Sequence, residues 1–216
     1  MILPSSKIFV FDLDDTLYSE RDFEKSGIEF VYHNLNIKHI SLEKILNNRN
    51  NWIEQMNNGS NNQITLQIVL DMYRNHLPTI QLYSDAKVFL EKLFSQGIEM
   101  SLITDGRSIT QRNKLRALGI DSFFKNIVIS EEVNSEKPSE YNFRMVMHNK
   151  IAENYIYIAD NPKKDFITPN KLGWTSICLL DRGHNVHEQV FTNSIEYNPH
   201  FIIKSFNEIN LFIPEI

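Results

Sequence analysis

The chain has 216 residues, 42% of them hydrophobic and 23% charged, proportions that suit one globular unit, or a core with a modest insertion, able to bury a sizeable interior. With 22 basic against 27 acidic residues its formal net charge is -5, which excludes a general polyanion-binding surface, and the single Cys178 excludes an internal disulfide. No apolar run approaches the roughly 18 residues that span a bilayer, and the start MILPSSKIFVFDLD has no basic stretch followed by a long apolar one, so neither a nucleic-acid polymer nor a membrane is expected as partner and the cytoplasm is the expected location.

The first periodic signal is KIFVFDLD, where an apolar run from Ile8 to Phe11 stops at an acidic cluster. A strand buried on both faces reads this way, and the first strand is expected over about residues 7–12. Residues 18–83 then show helix periodicity three times with no strand between. One stripe is Phe23, Gly27, Phe30, Val31 and Leu35; a second is Leu42, Ile45, Leu46, Trp52, Ile53 and Met56; a third is Leu66, Val69, Leu70, Tyr73 and Leu77. They read as a small helical insertion, with Trp52 and Tyr73 in its core. Within it NNRNNWIEQMNNGSNN (47–62) holds eight Asn, which disfavours a long regular helix and predicts a mobile, solvated loop around Gly59.

From residue 84 onward helix and strand alternate. Ser84 can cap DAKVFLEKLFSQ, whose Phe89, Leu90, Leu93 and Phe94 share a face and which Gly97 ends; Ser108 can cap ITQRNKLRAL, which stops at Gly119. A helix after Pro138 turns Phe143, Val146 and Met147 inward, and Gly173 ends a further one in PNKLGW. Strands are expected over Ile98–Thr104, Ile127–Ser130, Tyr155–Ala159 and Ser176–Leu180. The alternation predicts right-handed crossovers and an α/β fold: a doubly wound parallel sheet built from residues 1–17 and 84–216, carrying the helical insertion 18–83.

Four polar clusters fall at carboxyl ends of these strands: Asp12 and Asp14, then Thr104-Asp105-Gly106, then Lys137, then Asp160 and Asp165. In an open α/β sheet such ends converge on one crevice, so four distant clusters become one site. The residue types suit phosphoryl transfer through a covalent intermediate. Asp12, ending its strand, is the candidate nucleophile toward phosphorus. A phosphate approaches carboxylates only when a cation screens them, and hard oxygen ligands suit Mg²⁺, with carboxylates from Asp12 and Asp160 and a main-chain carbonyl from Asp14. Asp14 also fits the general acid and base, protonating the leaving alkoxide and then taking a proton from water. The Thr104 hydroxyl, the N–H groups of Asp105 and Gly106 and the Lys137 ammonium offer donors to the phosphoryl oxygens, while Asp165 orients Lys137 or a metal-bound water.

The stretches FDLDDTL (11–17), ITDG (103–106), EKP (136–138) and IADNPKKD (158–165) resemble the four ordered motifs of the haloacid-dehalogenase-like hydrolase superfamily, most of whose members are Mg²⁺-dependent phosphatases. The resemblance covers about residues 7–17 and 84–212. It implies a Rossmann-like core, Asp12 as nucleophile, Asp14 as acid and base, Thr104 and Lys137 as phosphate binders, Asp160 with Asp165 at the metal, and the insertion as a helical cap. Ala159 stands where the family commonly has Gly, and TDG replaces the frequent TNG; neither change removes a required functional group. Dehalogenases of the family lack an acid at the second aspartate's position, since a halide leaves without a proton, so Asp14 favours phosphate esters. The expected activity is therefore hydrolysis of a small phosphorylated metabolite, a sugar phosphate or nucleoside monophosphate, through an aspartyl phosphate. A phosphomutase and a catalytically silent binding protein are the rivals.

Other residues read as structural. Asp15 suits a turn or helix cap; Cys178 in SICLL a small buried apolar residue; Lys163 and Lys164 solvated positions. His184 and His187 in DRGHNVH have metal-like spacing without a third ligand nearby, so the segment reads as a solvated loop at the crevice rim, near enough for Arg182 or His184 to touch substrate.

Overall fold

Six parallel strands, β1 (Lys7–Phe11), β2 (Met100–Thr104), β3 (Asn126–Ile129), β4 (Asn154–Ala159), β5 (Thr175–Leu179) and β6 (Phe201–Ile203), form one sheet in the order β3-β2-β1-β4-β5-β6. The computed structural model describes residues 7–58, 65–147, 154–192 and 194–212; the loop expected around Gly59 lies outside them. β1 runs at the centre, with Phe11 opposite both Leu102 of β2 and Ile158 of β4. That register brings the carboxyl ends of three strands to within one residue of one another at Asp12, Thr104 and Asp160.

Side chains alternate across β1 as its pleat requires. Phe9 and Phe11 enter one core, where their rings meet Phe89 at 5.6 and 6.3 Å between centroids. Ile8 and Val10 enter the opposite core with Ile103, Phe143, Tyr157 and Trp174. Each fully buried Phe contributes about 2–3 kcal/mol by the apolar area it removes from water. The five expected strands are present; β6 is additional, its three residues preceded by Pro199 and its Ile202 44% exposed.

Among the described residues, four α-helices follow β1 before residue 84: α1 (Glu20–Asn34), α2 (Leu42–Asn47), α3 (Trp52–Asn57) and α4 (Leu66–Asn75). Ile28, Val31, Ile45, Met56 and Val69 give them a core of their own. The second expected stripe is split into α2 and α3 by a turn of 3-10 helix at Arg49–Asn51, within the Asn-rich stretch. Gly27 lets α1 approach α4, because a Cβ there would lie 2.4 Å from the Tyr73 ring.

The remaining helices are α5 (Ser84–Ser95), α6 (Ser108–Leu118), α7 (Ser130–Val133), α8 (Glu140–Met147), α9 (Ile167–Lys171) and α10 (Ile209–Phe212). Residues of α5, α6 and α10 pack on one sheet face, and those of α8 on the other. Ser84 and Ser108 begin their helices without capping them. At α6 the first free N–H groups find another acceptor: the amide of Ser108 donates to the Glu131 carboxylate at 2.7 Å. Gly97 and Gly119 follow α5 and α6 as expected. Among the described residues no helix is long and apolar enough to cross a membrane.

Candidate active site

At the carboxyl ends of β1, β2 and β4 opens a cavity of about 160 Å³. Of the expected residues, Asp12, Asp14, Thr104, Asp105 and Asp160 line it; Glu20, Asn161, Lys164 and His187 line it as well. Beneath it Lys137 is enclosed, its Nζ 2.5 Å from Asp12 Oδ1 and 2.8 Å from Asp165 Oδ1. Asp165 is held from three sides: Oδ1 also accepts from the Tyr157 hydroxyl (3.2 Å) and Oδ2 from the amide of Asn161 (3.1 Å). On the far side of the cluster Asn185 Nδ2 donates to Asp160 Oδ2 at 2.9 Å.

Carboxylate oxygens of Asp12, Asp160 and Asp165 lie within 4.8 Å of one another, all buried, with one ammonium among them. Burial pushes the Asp12 carboxyl up to about 6 despite the opposing pull of Lys137. Burial, with repulsion from Asp12 and Asp165, raises Asp160 well above the carboxylate range. Burial opposes charge on Lys137, but the two aspartates outweigh it and raise its pKa. Uncompensated, hard-oxygen charge in a closed site is the donor set of a small divalent cation, and Asp12, Asp160 and Asp165 fit Mg²⁺ in that sense.

Asp14 points its carboxylate toward α6. Oδ1 accepts from Lys114 Nζ (2.7 Å) and from the Tyr18 hydroxyl, and Oδ2 from Gln111 Nε2 (2.9 Å). Burial alone would raise its pKa; the Lys114 ammonium and these hydrogen bonds outweigh it and hold the group below its ordinary value. Beside it Glu20, the first residue of α1, is pushed up to about 8 by burial and by the Asp14 charge.

One expected donor is placed differently. The N–H of Gly106 is taken by Ser130 Oγ at 2.9 Å, and Gly106 lines a separate hollow with Ser130 and Glu131. Its φ of 140° is open to glycine alone. Asp105 keeps its side chain occupied, Oδ1 by the Lys137 amide (3.0 Å) and Oδ2 by Lys164 Nζ (2.7 Å). Lys164 is thus not a solvated position: the turn at Asn161, whose carbonyl accepts from the amides of Lys164 and Asp165, folds it back into the crevice.

The segment after β5 is anchored rather than solvated. Arg182 forks onto Asp85 (2.9 and 2.7 Å) over the Tyr83 ring, and His184 Nε2 is 3.1 Å from the Tyr83 hydroxyl. His187, not Arg182 or His184, is the residue of this segment that lines the crevice. Asp15, with φ 54°, accepts from the amides of Glu20 (2.8 Å) and Val186 (2.7 Å), tying the start of α1 to that segment. Gln111, Lys114, Tyr18, Glu20 and Asn185 carry no motif signal. The one clue lay in α6, whose apolar stripe is too thin to bury a helix without polar side chains facing inward.

Comparison with known proteins matches the haloacid dehalogenase-like hydrolase family over residues 9–179. Glyceraldehyde 3-phosphate phosphatase of Methanocaldococcus jannaschii is 30% identical over 193 residues, which cover 81% of this chain and 85% of that one. Phosphoserine phosphatase of Thermus thermophilus is 33% identical over 104 residues, 47% of this chain and 41% of that one. Among solved structures, Bacillus subtilis YfnB bound to magnesium has a TM-score of 0.71 at 19% identity, covering 98% of this chain and 100% of that one. A likeness at that identity speaks for the fold, a parallel sheet with flanking helices; the match spanning β1 to β5 speaks for descent. The chain belongs to the haloacid dehalogenase-like hydrolase family.

Proposed function

We propose that this hydrolase is a Mg²⁺-dependent phosphatase acting on a small phosphate monoester through an aspartyl phosphate on Asp12. The observation that carries the reading is the placing of Asp12: a carboxylate at the central strand's end, facing a polar crevice, with Lys137 and Asp160 on either side. The relatives named as phosphatases support the same reaction class.

An Asp12 oxygen attacks phosphorus, the bond from phosphorus to the ester oxygen breaks, and the leaving oxygen takes a proton from Asp14. Asp14 is ionised before substrate arrives; a phosphate dianion beside it raises its pKa and favours the protonated form. Water then attacks the acyl phosphate, Asp14 accepts its proton, and phosphate leaves with Asp12 restored. Mg²⁺ held by Asp12 and Asp160, with the Asp14 main-chain carbonyl and with Asp165 beneath, would neutralise the charge that otherwise repels phosphate. Thr104, the Asp105 amide and Lys137 hold the phosphoryl oxygens, and Lys164 adds an ammonium at the crevice wall.

Residues 18–83 act as the cap. A second cavity of about 360 Å³ is lined by Arg21, Arg49, Trp52 and Tyr73 of the helices and by Val186; Arg21 and Val186 are chain neighbours of the crevice residues Glu20 and His187, which suits it to the leaving group. A sugar phosphate is the favoured substrate class, in line with the Methanocaldococcus jannaschii relative. A nucleoside monophosphate is the second reading, favoured by the Trp52 and Tyr73 rings in that cavity wall, 5.5 Å apart between centroids.

The test is phosphate release from a broad panel of monoesters with Mg²⁺, repeated with EDTA and with Asp12→Asn. Turnover of at least one small ester, stopped by EDTA, restored by Mg²⁺ and absent in the folded variant, is the expected result. Near-wild-type turnover by Asp12→Asn would sink the mechanism, and metal-independent turnover would sink the cation's role.

A further inference from the structure

Four polar side chains in the first two turns of α6 are buried: Thr110 at 8% exposure, Gln111 at 1%, Asn113 at 5% and Lys114 at 3%. They divide into two pairs with different partners. Thr110 Oγ1 donates to the carbonyl of Arg74 (3.0 Å), and Asn113 Nδ2 to those of Asn75 (3.0 Å) and His76 (3.2 Å). These carbonyls end α4 and have no acceptor role left within it. The other pair holds Asp14, Lys114 on Oδ1 and Gln111 on Oδ2. The same Gln111 amide donates to Thr104 Oγ1 at 2.6 Å, and the Lys114 ammonium lies 4.4 Å from the centroid of the Phe23 ring on α1.

An apolar helix face would pack here without desolvating an ammonium and two amides, so packing alone does not account for this one. What the polar face achieves is geometric. An aspartate held by both oxygens keeps one rotamer, and since Lys114 and Tyr18 both take Oδ1, it is Oδ2 that retains a lone pair for substrate. Because all four side chains project from one short rigid helix, a shift of α4 against α6 is carried to Asp14.

We propose that Gln111 and Lys114 are positioning residues that aim the Asp14 carboxylate, and that α6 makes this aim depend on how α1 and α4 are seated. The proposal rests on the reading of Asp14 as acid and base of a phosphate-ester hydrolase. Lys114 acts through Asp14 and does not itself meet the reacting atoms; Gln111 links Asp14 to Thr104, so the proton-handling group and the phosphate-holding hydroxyl keep a fixed separation.

The experiment measures kcat and KM with a turned-over monoester for wild type, Lys114→Met, Lys114→Arg, Asp14→Asn and the Asp14→Asn/Lys114→Met double variant, each checked for folding by circular dichroism. Lys114→Met is expected to lower kcat about 100-fold while KM moves less than about 3-fold, the range of a lost acid–base contribution. Lys114→Arg recovers part of kcat, and the double variant is no slower than Asp14→Asn, because the two residues act as one unit. Thr110→Ala/Asn113→Ala, which touches neither Asp14 nor substrate, lowers kcat roughly 10-fold, still at little change in KM. If Lys114→Met does not fold, Lys114→Gln, which keeps a donor, takes its place with the same expectation. A kcat within about 3-fold of wild type, or a double variant slower than Asp14→Asn by the full single-variant factor, overturns the proposal. Wild-type protein that releases phosphate from no ester instead overturns the functional reading beneath it, a result distinguishable from either.

Discussion

The Lys137 ammonium bridges Asp12 and Asp165, 2.5 Å from one carboxylate and 2.8 Å from the other, with 1% of its side chain exposed. It is the floor of the site, joining the end of β1 to the turn after β4. Lys137→Met leaves two buried carboxylates facing each other without their shared cation, which costs about 3–5 kcal/mol. Urea unfolding in EDTA is the measurement, and part of the loss should return with Mg²⁺. A variant as stable as wild type in EDTA would show that the bridge contributes nothing net.

A second prediction concerns pH. The Asp12 carboxyl stands at about 6 in the metal-free fold against 3.8 ordinarily. Below about pH 4 it is protonated in both states; between pH 4 and 6 the native protein keeps a proton that the unfolded chain has released, so stability falls as pH rises, by about 3 kcal/mol at pH 7. Asp160 acts in the same direction, and Glu20, at about 8, extends the slope upward. Asp14, shifted down, contributes stability that is lost only below the ordinary carboxylate range. Melting temperatures in EDTA should therefore decline from pH 4 to 7, and Mg²⁺ should raise them at pH 7 but hardly at pH 4. An equal Mg²⁺ effect at both values would contradict this.

A third prediction concerns Gly106. Its φ is 140°, and an added Cβ would meet the Gln111 side chain at 3.2 Å. Gly106→Ala should cost about 1–3 kcal/mol in backbone strain and should push Gln111 off Thr104 and Asp14, lowering kcat as well as the melting temperature. A variant that melts like wild type would remove the argument.

The fold was legible where burial on both faces leaves uninterrupted apolar runs, as in Phe9–Phe11 and Tyr155–Ala159. β6 escaped because three residues at an exposed edge, with Ile202 facing solvent, carry no such run. The site's acids were legible because strand ends converge in this architecture, so Asp12, Asp14 and Asp160 needed position only. Gln111 and Lys114 were not, since a buried polar helix face has the composition of a solvated one. Lys164 was misread for a related reason: side by side with Lys163 it looks solvated, and only the turn at Asn161 separates the two, leaving Lys163 outside and Lys164 in the crevice. Gly106 shows the remaining limit, because a main-chain donor's direction depends on a φ that no residue pattern states.

The chain's one cysteine, Cys178, is 0% exposed in the middle of β5, and burial pushes its thiol pKa up, so it is neither accessible to reagents nor ionised at neutral pH. The native protein therefore offers no competing thiol to alkylating dyes. A cysteine introduced at exposed Val88 on α5 and another at exposed Ile68 on α4 would be labelled without first removing Cys178, giving a fluorescence-transfer ruler across the two helical layers in an otherwise unaltered chain.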